Sequence, residues 1–546
     1  MRLLDNDTFW GQIVYLLSRR RLLRYPEEEP GFVPPTFGDF GVEAVEDRDL
    51  EQLENAKRQC VDSDDYLPSS DTFESDKGMI YVSWYGPNDA ANPKNWSLLK
   101  KIITGLQMGL LVGCIYMGSS IYMPAILQLE AEFHIPEVVA ILPLAVFVFG
   151  YGVGQTLFSP LSEHPRLGRM WIYNLTLLVF WVLQAPTAKA KNIASLTVLR
   201  FICGVLAAPS LSMGAATMGD MFEMRYMTYA IASWAFFCCT GPALGPLLGG
   251  VFYFIKDWRW TFWILGMVSC GGFIILSLTL PETYAPNILH RRAARLRKLT
   301  GNPNYTTIYD EEYAQLSVSQ LAREFMLRPF EIAFTEPIVL ALDVYIAMLY
   351  ATLYVWFEAF PLVFHQIHHF NAIQSGLAYM GLMVGGLLGL VAYCFTTYWA
   401  FEKRDADIET FMKLCLIGAV CYPVSVFIFG WTSHPDIHWI APIIASGLNM
   451  FGAFFIFQTS FNYLGGSFPR FMASVFAGNG LFRASFAGAF PLFSKALFVN
   501  LQTDPKWPVA WGCTLLGCIG VLMIIIPVLL IIYGGRLKGR SKYTGQ

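Results

Sequence analysis

The sequence predicts an all-α membrane protein of twelve spanning helices arranged as two six-helix bundles. Three observations carry that expectation. The 546 residues are 55% hydrophobic and only 14% charged, where soluble domains carry about 25% charged residues. Apolar segments of about 20 residues, long enough to cross a bilayer as helices, fall into six, a polar gap and six more. Lys and Arg gather on one side of the spans so defined. A soluble chain of this length would split into several cores; here lipid takes the place of water.

The first apolar residues are Phe9, Trp10, Ile13, Val14, Leu16 and Leu17, followed by Arg19, Arg20, Arg21 and Arg24. A secretory signal has its cations before the apolar run, so this segment is not one. It reads as a short amphipathic helix, lying on the inner leaflet or packed on the cytosolic face of the protein. Residues 26–95 are rich in acid, Pro, Gly and Ser without sustained apolar periodicity, the composition of a mostly disordered tail. Asn92-Pro-Lys-Asn-Trp96 then introduces the first span, so residues 1–100 are expected to form a cytosolic N-terminal tail. The expected spans of an N-terminal bundle over 101–281 are 102–124, 137–159, 170–188, 193–216, 227–252 and 260–280. Residues 282–336, with Arg291, Arg292, Arg295, Arg297 and Lys298, read as a cytosolic linker. A C-terminal bundle over 337–535 follows, with spans at 337–361, 372–397, 411–431, 438–463, 471–496 and 509–533. Residues 536–546 are a cytosolic tail. Six plus six around a basic loop fits two bundles joined inside the cell.

With both termini inside, the short inner loops hold Arg166, Arg169, Arg225, Lys403, Arg404 and Arg470, and the tail adds Arg536, Lys538, Arg540 and Lys542. The outer loops hold only Lys189, Lys191, Lys256, Arg259 and Lys506. That is the expected bias. The glycosylation triplets beginning at Asn6, Asn95, Asn174 and Asn304 all miss the outer loops and are expected to be unused. Ten cysteines, among them Cys238-Cys239, lie within apolar segments with no CxxC spacing; they read as reduced packing residues. No basic patch with interleaved aromatics suggests nucleic acid. No metal-ligand cluster, nucleotide loop or hydrolase elbow points to an enzyme or a cofactor. His365, His368 and His369 share an outer loop and read as incidental.

Four groups of residues could carry chemistry. The first is the polar run Gln155-Thr-Leu-Phe-Ser-Pro-Leu-Ser-Glu163-His-Pro-Arg166-Leu-Gly-Arg169 between the second and third spans. Glu163 at the inner surface can face the free N–H groups of an incoming helix. Arg166 or Arg169 can pair with Asp220 or Glu223 at the inner end of the fourth span. Such contacts would lock the bundles together on the cytosolic side as an inner gate; the bland alternative is a basic loop that anchors topology. The second is Arg200, a costly cation at membrane depth, one turn before Gly204. It either perturbs a carboxylate, holds carbonyls, or pins its span to neighbours. The third is Gly241-Pro242-Ala-Leu-Gly245-Pro246-Leu-Leu-Gly249-Gly250 in the outer half of the fifth span. Its glycines at i, i+4 and i+8 make one stripe, and its prolines each remove a backbone donor. A close contact there could seal the outer side.

The fourth is in the seventh span. Asp343, Tyr350, Tyr354 and Glu358 are separated by 7, 4 and 4 residues and share a helical face. An acid-aromatic ladder suits the lining of an aqueous cavity, with carboxyls carrying protons or meeting cationic drugs and tyrosines stacking on flat rings. Asp343 near the inner surface and Glu358 near the outer mouth could instead be solvated end residues. Gln107, Ser120 and Tyr122 in the first span, Asn449, Gln458 and Asn462 in the tenth, and Asn479 and Arg483 in the eleventh are further cavity candidates. Interhelical hydrogen bonding is the commoner use of such residues.

The polar run resembles the signature loop of the major facilitator superfamily, with Glu163 where Asp is usual and a longer reach to Gly168-Arg169. The Gly-Pro stripe resembles the motif that marks proton-coupled antiporters of that superfamily. Arg200-x-x-x-Gly204 resembles its fourth-span motif, which implies a part in proton coupling. Trp258-Arg-Trp-Thr-Phe-Trp263, Leu280-Pro-Glu-Thr283, Asn462-Tyr-Leu, Ala473-Ser474, Leu481-Phe-Arg483-Ala-Ser485 and Phe490-Pro-Leu-Phe493 look like fungal multidrug exporters. The resemblance covers roughly residues 92–535. It implies the major facilitator fold, the twelve-span drug:proton antiporter family and a fungal plasma membrane. The expected activity is proton-coupled efflux of diverse amphipathic or aromatic compounds by alternating access. Small drugs, protons and the bilayer are the expected partners, and the protein is expected to be a monomer. The competing expectations are a narrow exporter of polyamines or a secondary metabolite, an uptake symporter, which the Gly-Pro stripe argues against, and a non-transporting sensor. A sensor would carry a large structured cytosolic domain.

Overall fold

The computed structural model describes residues 6–18, 22–29, 32, 73–74, 79–315, 327–402, 407–468, 472–541 and 543. Lys403, Arg404, Arg470 and Lys542, which contribute to the expected orientation, lie outside these, as do Arg19, Arg20 and Arg21 and most of the acidic tail.

The long helices run in chain order as span 1 (Leu98–Ser120), span 2 (Glu137–Ser162), span 3 (Gly168–Ala188), span 4 (Ile193–Met221), span 5 (Met224–Ile255) and span 6 (Arg259–Thr279). After the linker come span 7 (Pro337–Phe360), span 8 (Met380–Thr397, entered through Ala372–Ala378), span 9 (Glu409–Thr432), span 10 (Ile440–Ser467), span 11 (Met472–Leu501) and span 12 (Ala510–Met523, continued by Ile525–Lys538). Among the described residues, 11 helical stretches are long and apolar enough to cross a membrane by composition alone. Span 3 falls short because Arg169, Asn174, Thr176 and Gln184 are on it, yet all four are buried against protein. Prolines 143, 160, 209, 242 and 246 sit inside helices without ending them. Neighbouring helices can satisfy the backbone groups that each proline frees.

Packing repeats with a period of six spans. Spans 2 and 4, 1 and 5, and 3 and 6 pack together in the first half; spans 8 and 10, 7 and 11, and 9 and 12 do so in the second. The same face of each bundle then meets the other, so that span 2 lies on span 11 and span 5 on span 8. Such doubling is the signature of two repeats related about an axis through the membrane. It leaves spans 1 and 7 facing each other near that axis, and span 7 is buried along nearly its whole length.

The end of the molecule that carries the N-terminal segment and the linker is more ordered than the composition suggests. Thr8 caps the helix Phe9–Leu17 through its hydroxyl, which accepts from the Gly11 amide. Phe9 packs its ring 5.1 Å from Trp171 of span 3 and 6.2 Å from Phe273 of span 6. This helix therefore packs on the protein, while Leu16 and Leu17 on its other face stay exposed. The expected linker contains a helix, Ala285–Thr300, that buries Ile288, Leu289, Ala293 and Leu296 together with Arg292 and Arg295. Buried arginines require counter-charges, and the tail supplies them. Glu27 lies 3.2 Å from both Arg292 and Arg295, and Asp89 lies 2.7 Å from Arg292. Tyr25 and Tyr85 cover the two guanidinium groups at 3.8 and 4.0 Å. Burial pushes the Asp89 carboxyl up, but the hydrogen bond and charge of Arg292 outweigh it and hold the group below its ordinary value. A small sheet adds to this cap. Strand β1 (Phe73–Glu74) pairs antiparallel with β2 (Ile80–Tyr81), which pairs parallel with β3 (Tyr305–Thr306). The expectation of a mostly disordered tail is thus corrected for 26–29 and 79–95, because ion pairing and strand pairing hold them.

Glu27 is only 2% exposed. Glu27→Ala leaves the buried Arg295 without its ion-pair partner and Arg292 with Asp89 alone, and breaking such a pair costs about 3–5 kcal/mol. The purified variant is expected to melt at a clearly lower temperature than the wild type. An unchanged melting curve would show the cap to be dispensable for stability.

Candidate functional site

The central feature is an aromatic junction where the two bundles meet. The Tyr151 hydroxyl of span 2 donates to the Tyr350 hydroxyl of span 7 at 3.2 Å. Tyr354 donates to the Ser119 hydroxyl of span 1 at 3.1 Å. The Tyr350 and Tyr354 rings meet edge-on at 5.3 Å, and Tyr116 meets Tyr151 in the same way at 5.6 Å. Phe457 of span 10 stands 6.0 Å from Tyr350, and Arg483 of span 11 lies 5.1 Å over that ring. Edge-on pairs at these separations are attractive, so the junction is cohesive without being covalently or ionically fixed. Sequence periodicity places only Tyr350, Tyr354 and Arg483 here. Tyr116, Tyr151, Ser119 and Phe457 come from helices whose patterns do not mark them.

Two carboxyls of span 7 flank this junction. Asp343, two turns toward the start of span 7, is fully buried and accepts from the Asn479 side-chain amide at 2.8 Å. Its second oxygen is buried without a partner, as is Oε1 of Glu358, one turn outward of Tyr354. Neither has an ion-pair partner among the described residues. Both are enclosed, so the reading of solvated end residues is set aside. Asn479 thus serves Asp343. Gln458 is buried with an unpartnered carbonyl oxygen.

Arg200 has a different setting. It is fully buried on span 4, and one terminal nitrogen donates to the carbonyls of Gly118 and Ser119 at 2.7 and 3.2 Å. These belong to the last turn of span 1, where carbonyls lack partners within the helix. The guanidinium rests 4.1 Å from the Phe147 ring and 5.5 Å from that of Tyr122. Of the alternatives open to it, Arg200 holds carbonyls; it pairs with no carboxylate among the described residues.

On the inner side, Arg169 pairs with Asp220 at 2.7 Å while Arg166 is exposed. The amides of Arg169 and Met170, at the start of span 3, donate to the Glu282 carboxylate at 3.1 and 3.2 Å. The acid at this helix N-terminus is therefore Glu282, from the end of span 6, and not Glu163. Gly168 reaches it in a left-handed conformation, φ 70°, where a side chain would collide with Glu282. Glu163 instead offers its backbone carbonyl to Tyr284 at 2.7 Å, and burial pushes its carboxyl above its ordinary value despite Arg169. All these bonds tie spans 3 and 4 to the start of the linker. Arg169 and Asp220 are first-turn and last-turn neighbours in one bundle, so the expected lock between bundles is not what they form.

The Gly-Pro stripe is likewise internal to the first bundle. A Cβ at Gly241 would stand 2.8 Å from the Gly113 carbonyl oxygen, and one at Gly245 would stand 2.8 Å from that of Met117. Gly249 lies against Ile121. The stripe seats span 5 on span 1. Pro246 has no N–H for the carbonyl of Pro242, and Ser120 replaces it, donating to that oxygen at 2.7 Å. The outer seam between bundles is one residue over. A Cβ at Gly250 would stand 2.7 Å from the Ala372 carbonyl oxygen, and one at Gly376 would stand 2.8 Å from Leu247 Cα. On the other seam a Cβ at Gly488 would stand 2.8 Å from the Ala145 carbonyl oxygen, and Lys495 pairs with Glu137. In the inner half, Thr228 donates to Asn462 at 3.3 Å, and the seams there meet through side chains. Gly250→Leu is therefore expected to reduce transport about tenfold while Gly241→Leu lowers the amount of folded protein. Cross-linking across the outer ends of spans 5 and 8 checks the first effect, and normal cross-linking in Gly250→Leu would refute it.

Two polar candidates lie elsewhere. Gln107 donates to Thr279 of span 6 at 2.8 Å; it precedes Tyr116 by nine residues, two and a half turns, and so faces away from the junction. Asn449 donates to Ser425 of span 9 at 3.1 Å. Both join helices of one bundle.

The arrangement matches known proteins. The family model of the Major Facilitator Superfamily matches residues 108–491. The Cycloheximide resistance protein of Candida maltosa is 41% identical, with 99% of each chain covered. The Fluconazole resistance protein 1 of Saccharomyces cerevisiae is 41% identical over 92% of each chain. The Multidrug transporter FLR1 of Candida glabrata is 43% identical over 86% of this chain and 85% of its own. Among solved structures, the peptide transporter POT superposes with a TM-score of 0.56 at 14% identity, covering 83% of this chain and 98% of its own. The proton:xylose symporter XylE gives 0.55 at 14%, covering 80% and 95%. At that identity they establish the fold alone, and the expected twelve-span fold agrees with them. A family match over most of the chain, with close relatives along nearly its full length, means that this protein belongs to the major facilitator superfamily of membrane transporters, in the branch of these fungal resistance transporters.

Proposed function

We propose that this protein exports amphipathic, often aromatic compounds across the fungal plasma membrane in exchange for protons. The observation that carries the reading is the junction itself. A set of tyrosines from both bundles is bracketed, on one helix, by two enclosed carboxyls that no cation among the described residues neutralises. Membrane carboxyls of this kind mark proton pathways, and tyrosines offer faces and hydroxyls to flat ligands of varied shape. The bundles rock about the span 2/span 11 and span 5/span 8 seams, so the junction opens to one side at a time. Asp343 and Glu358 carry the protons; Arg200 positions the outer end of span 1, and Gln458 lines the cavity beside the tyrosines. The Arg169–Asp220–Glu282 cluster braces the inner end of the first bundle as it moves. The relatives named for drug resistance support the substrate class. Cytosolic termini follow from the charge bias, and a monomer contains the whole pathway.

The test is nucleotide-free vesicles holding the purified protein. An imposed pH gradient is expected to drive a fluorescent aromatic drug uphill, and collapsing the gradient to stop it. Uphill movement that ignores the gradient would end the proton reading. Movement of polyamines alone would favour the narrow exporter.

A further inference from the structure

Two arginines deep within the spans, Arg200 and Arg483, are used differently, and the difference points to the substrate. Arg200 is committed to the Gly118 and Ser119 carbonyls. Arg483, at the middle of span 11, donates to no protein group among the described residues. Its Nε is buried without a partner. Its guanidinium only rests over the rings of Tyr350 at 5.1 Å and Phe461 at 5.9 Å. The residue is half-buried and not fully enclosed by protein. Its place is fixed from both sides. Gly480 and Ala484 of the same helix press on Gln155 and Gly152 of span 2. Asn479, one turn earlier on Arg483's own face, binds Asp343 of span 7. Arg483 therefore points into the cleft between spans 2 and 7, beside the tyrosine junction. Asp343 of span 7 is engaged by Asn479, and Arg483 makes no ion pair among the described residues.

A membrane cation without an acceptor is expensive. A guanidinium is a rigid fork of five donors that suits carboxylates and other paired acceptor oxygens. Aromatic rings beside it would hold a flat body while the fork takes the polar end. A cationic compound would meet like charge at this point in a low-dielectric setting.

We propose that Arg483 is the polar anchor of the substrate site and selects flat compounds that present a carboxylate or similarly paired acceptor oxygens over flat cations. This rests on the export reading. The test separates the two by measuring binding to purified protein with no gradient. Fluorescein and rhodamine 123 share a ring system and differ in charge. The wild type is expected to bind fluorescein about tenfold more tightly. Arg483→Gln should lose about that factor for fluorescein and none for rhodamine 123, while Arg483→Lys keeps part of the preference. Binding of neither dye, a wild-type preference for rhodamine 123, or equal weakening of both dyes in Arg483→Gln overturns the proposal. If Arg483→Gln does not fold, the wild-type preference and its loss or retention in Arg483→Lys decide. Selective fluorescein binding without gradient-driven movement would instead sink the export reading and leave the anchor standing.

Discussion

Asp343→Asn combined with Glu358→Gln is expected to abolish proton-driven accumulation, reducing it about a hundredfold or more, as removing a proton-transferring group commonly does. Both replacements keep the size of the side chain. The amide introduced at position 343 would still offer an oxygen to the Asn479 amide, which now donates to Asp343 at 2.8 Å, so the fold should survive. Neither replacement can pick up and release a proton in the working range. Exchange of labelled for unlabelled drug across the vesicle should persist, because it needs binding and rocking but no net proton movement. The single variants assign the roles. The carboxyl whose loss alone stops uphill transport is the obligatory carrier, and the other serves its access path. Uphill transport at wild-type rates in the double variant would place proton coupling outside span 7. Loss of exchange as well would make the two groups part of drug binding.

The part of the site on span 7 was legible because its four residues share one helix, and a single periodicity fixes their common face. The partners were not. Tyr151 and Tyr350 are 199 positions apart, and Ser119 and Tyr354 are 235 apart; which residue of span 1 or 2 lies opposite depends on how two helices cross. The same limit explains the misplaced acid at span 3. Glu163 is next to that helix in sequence, but Glu282 reaches it from the far end of span 6. The glycine stripe was legible as a stripe, yet its spacing cannot say whether span 1 or span 8 fills it. The bulk of the fold was readable because lipid demands long apolar runs with internally satisfied backbones. Span 3 was found despite four polar positions since its flanks are well marked. The cap formed by the tail and the linker was not, because Glu27 and Asp89 sit in acidic, Pro-rich sequence and their arginine partners lie more than 200 residues on. An ion-pair cluster leaves no periodic trace.

Arg200→Ala is expected to reduce transport more than tenfold and also to destabilise the protein. Hydrogen bonds from a charged donor are worth about 1.5–3 kcal/mol each, and Arg200 makes two to the last turn of span 1. The more informative change is Arg200→Lys, which keeps the charge and gives up the fork. The carbonyl of Ser119 is bound by Arg200, and the hydroxyl of the same residue accepts from Tyr354. Span 4 is thereby connected through the end of span 1 to span 7, one turn from Glu358. If the geometry of this chain matters, Arg200→Lys folds normally and still loses about tenfold in transport. Tyr354→Phe, which breaks the next bond in the chain, should then give a partial loss of its own. The two losses should not add, with a coupling above about 0.5 kcal/mol, as for residues in one network. Uphill drug transport by the two single variants and the double variant measures that coupling. Full activity in Arg200→Lys would mean that the charge alone suffices. Additive losses would mean that Arg200 secures span 1 without reaching the proton-carrying helix.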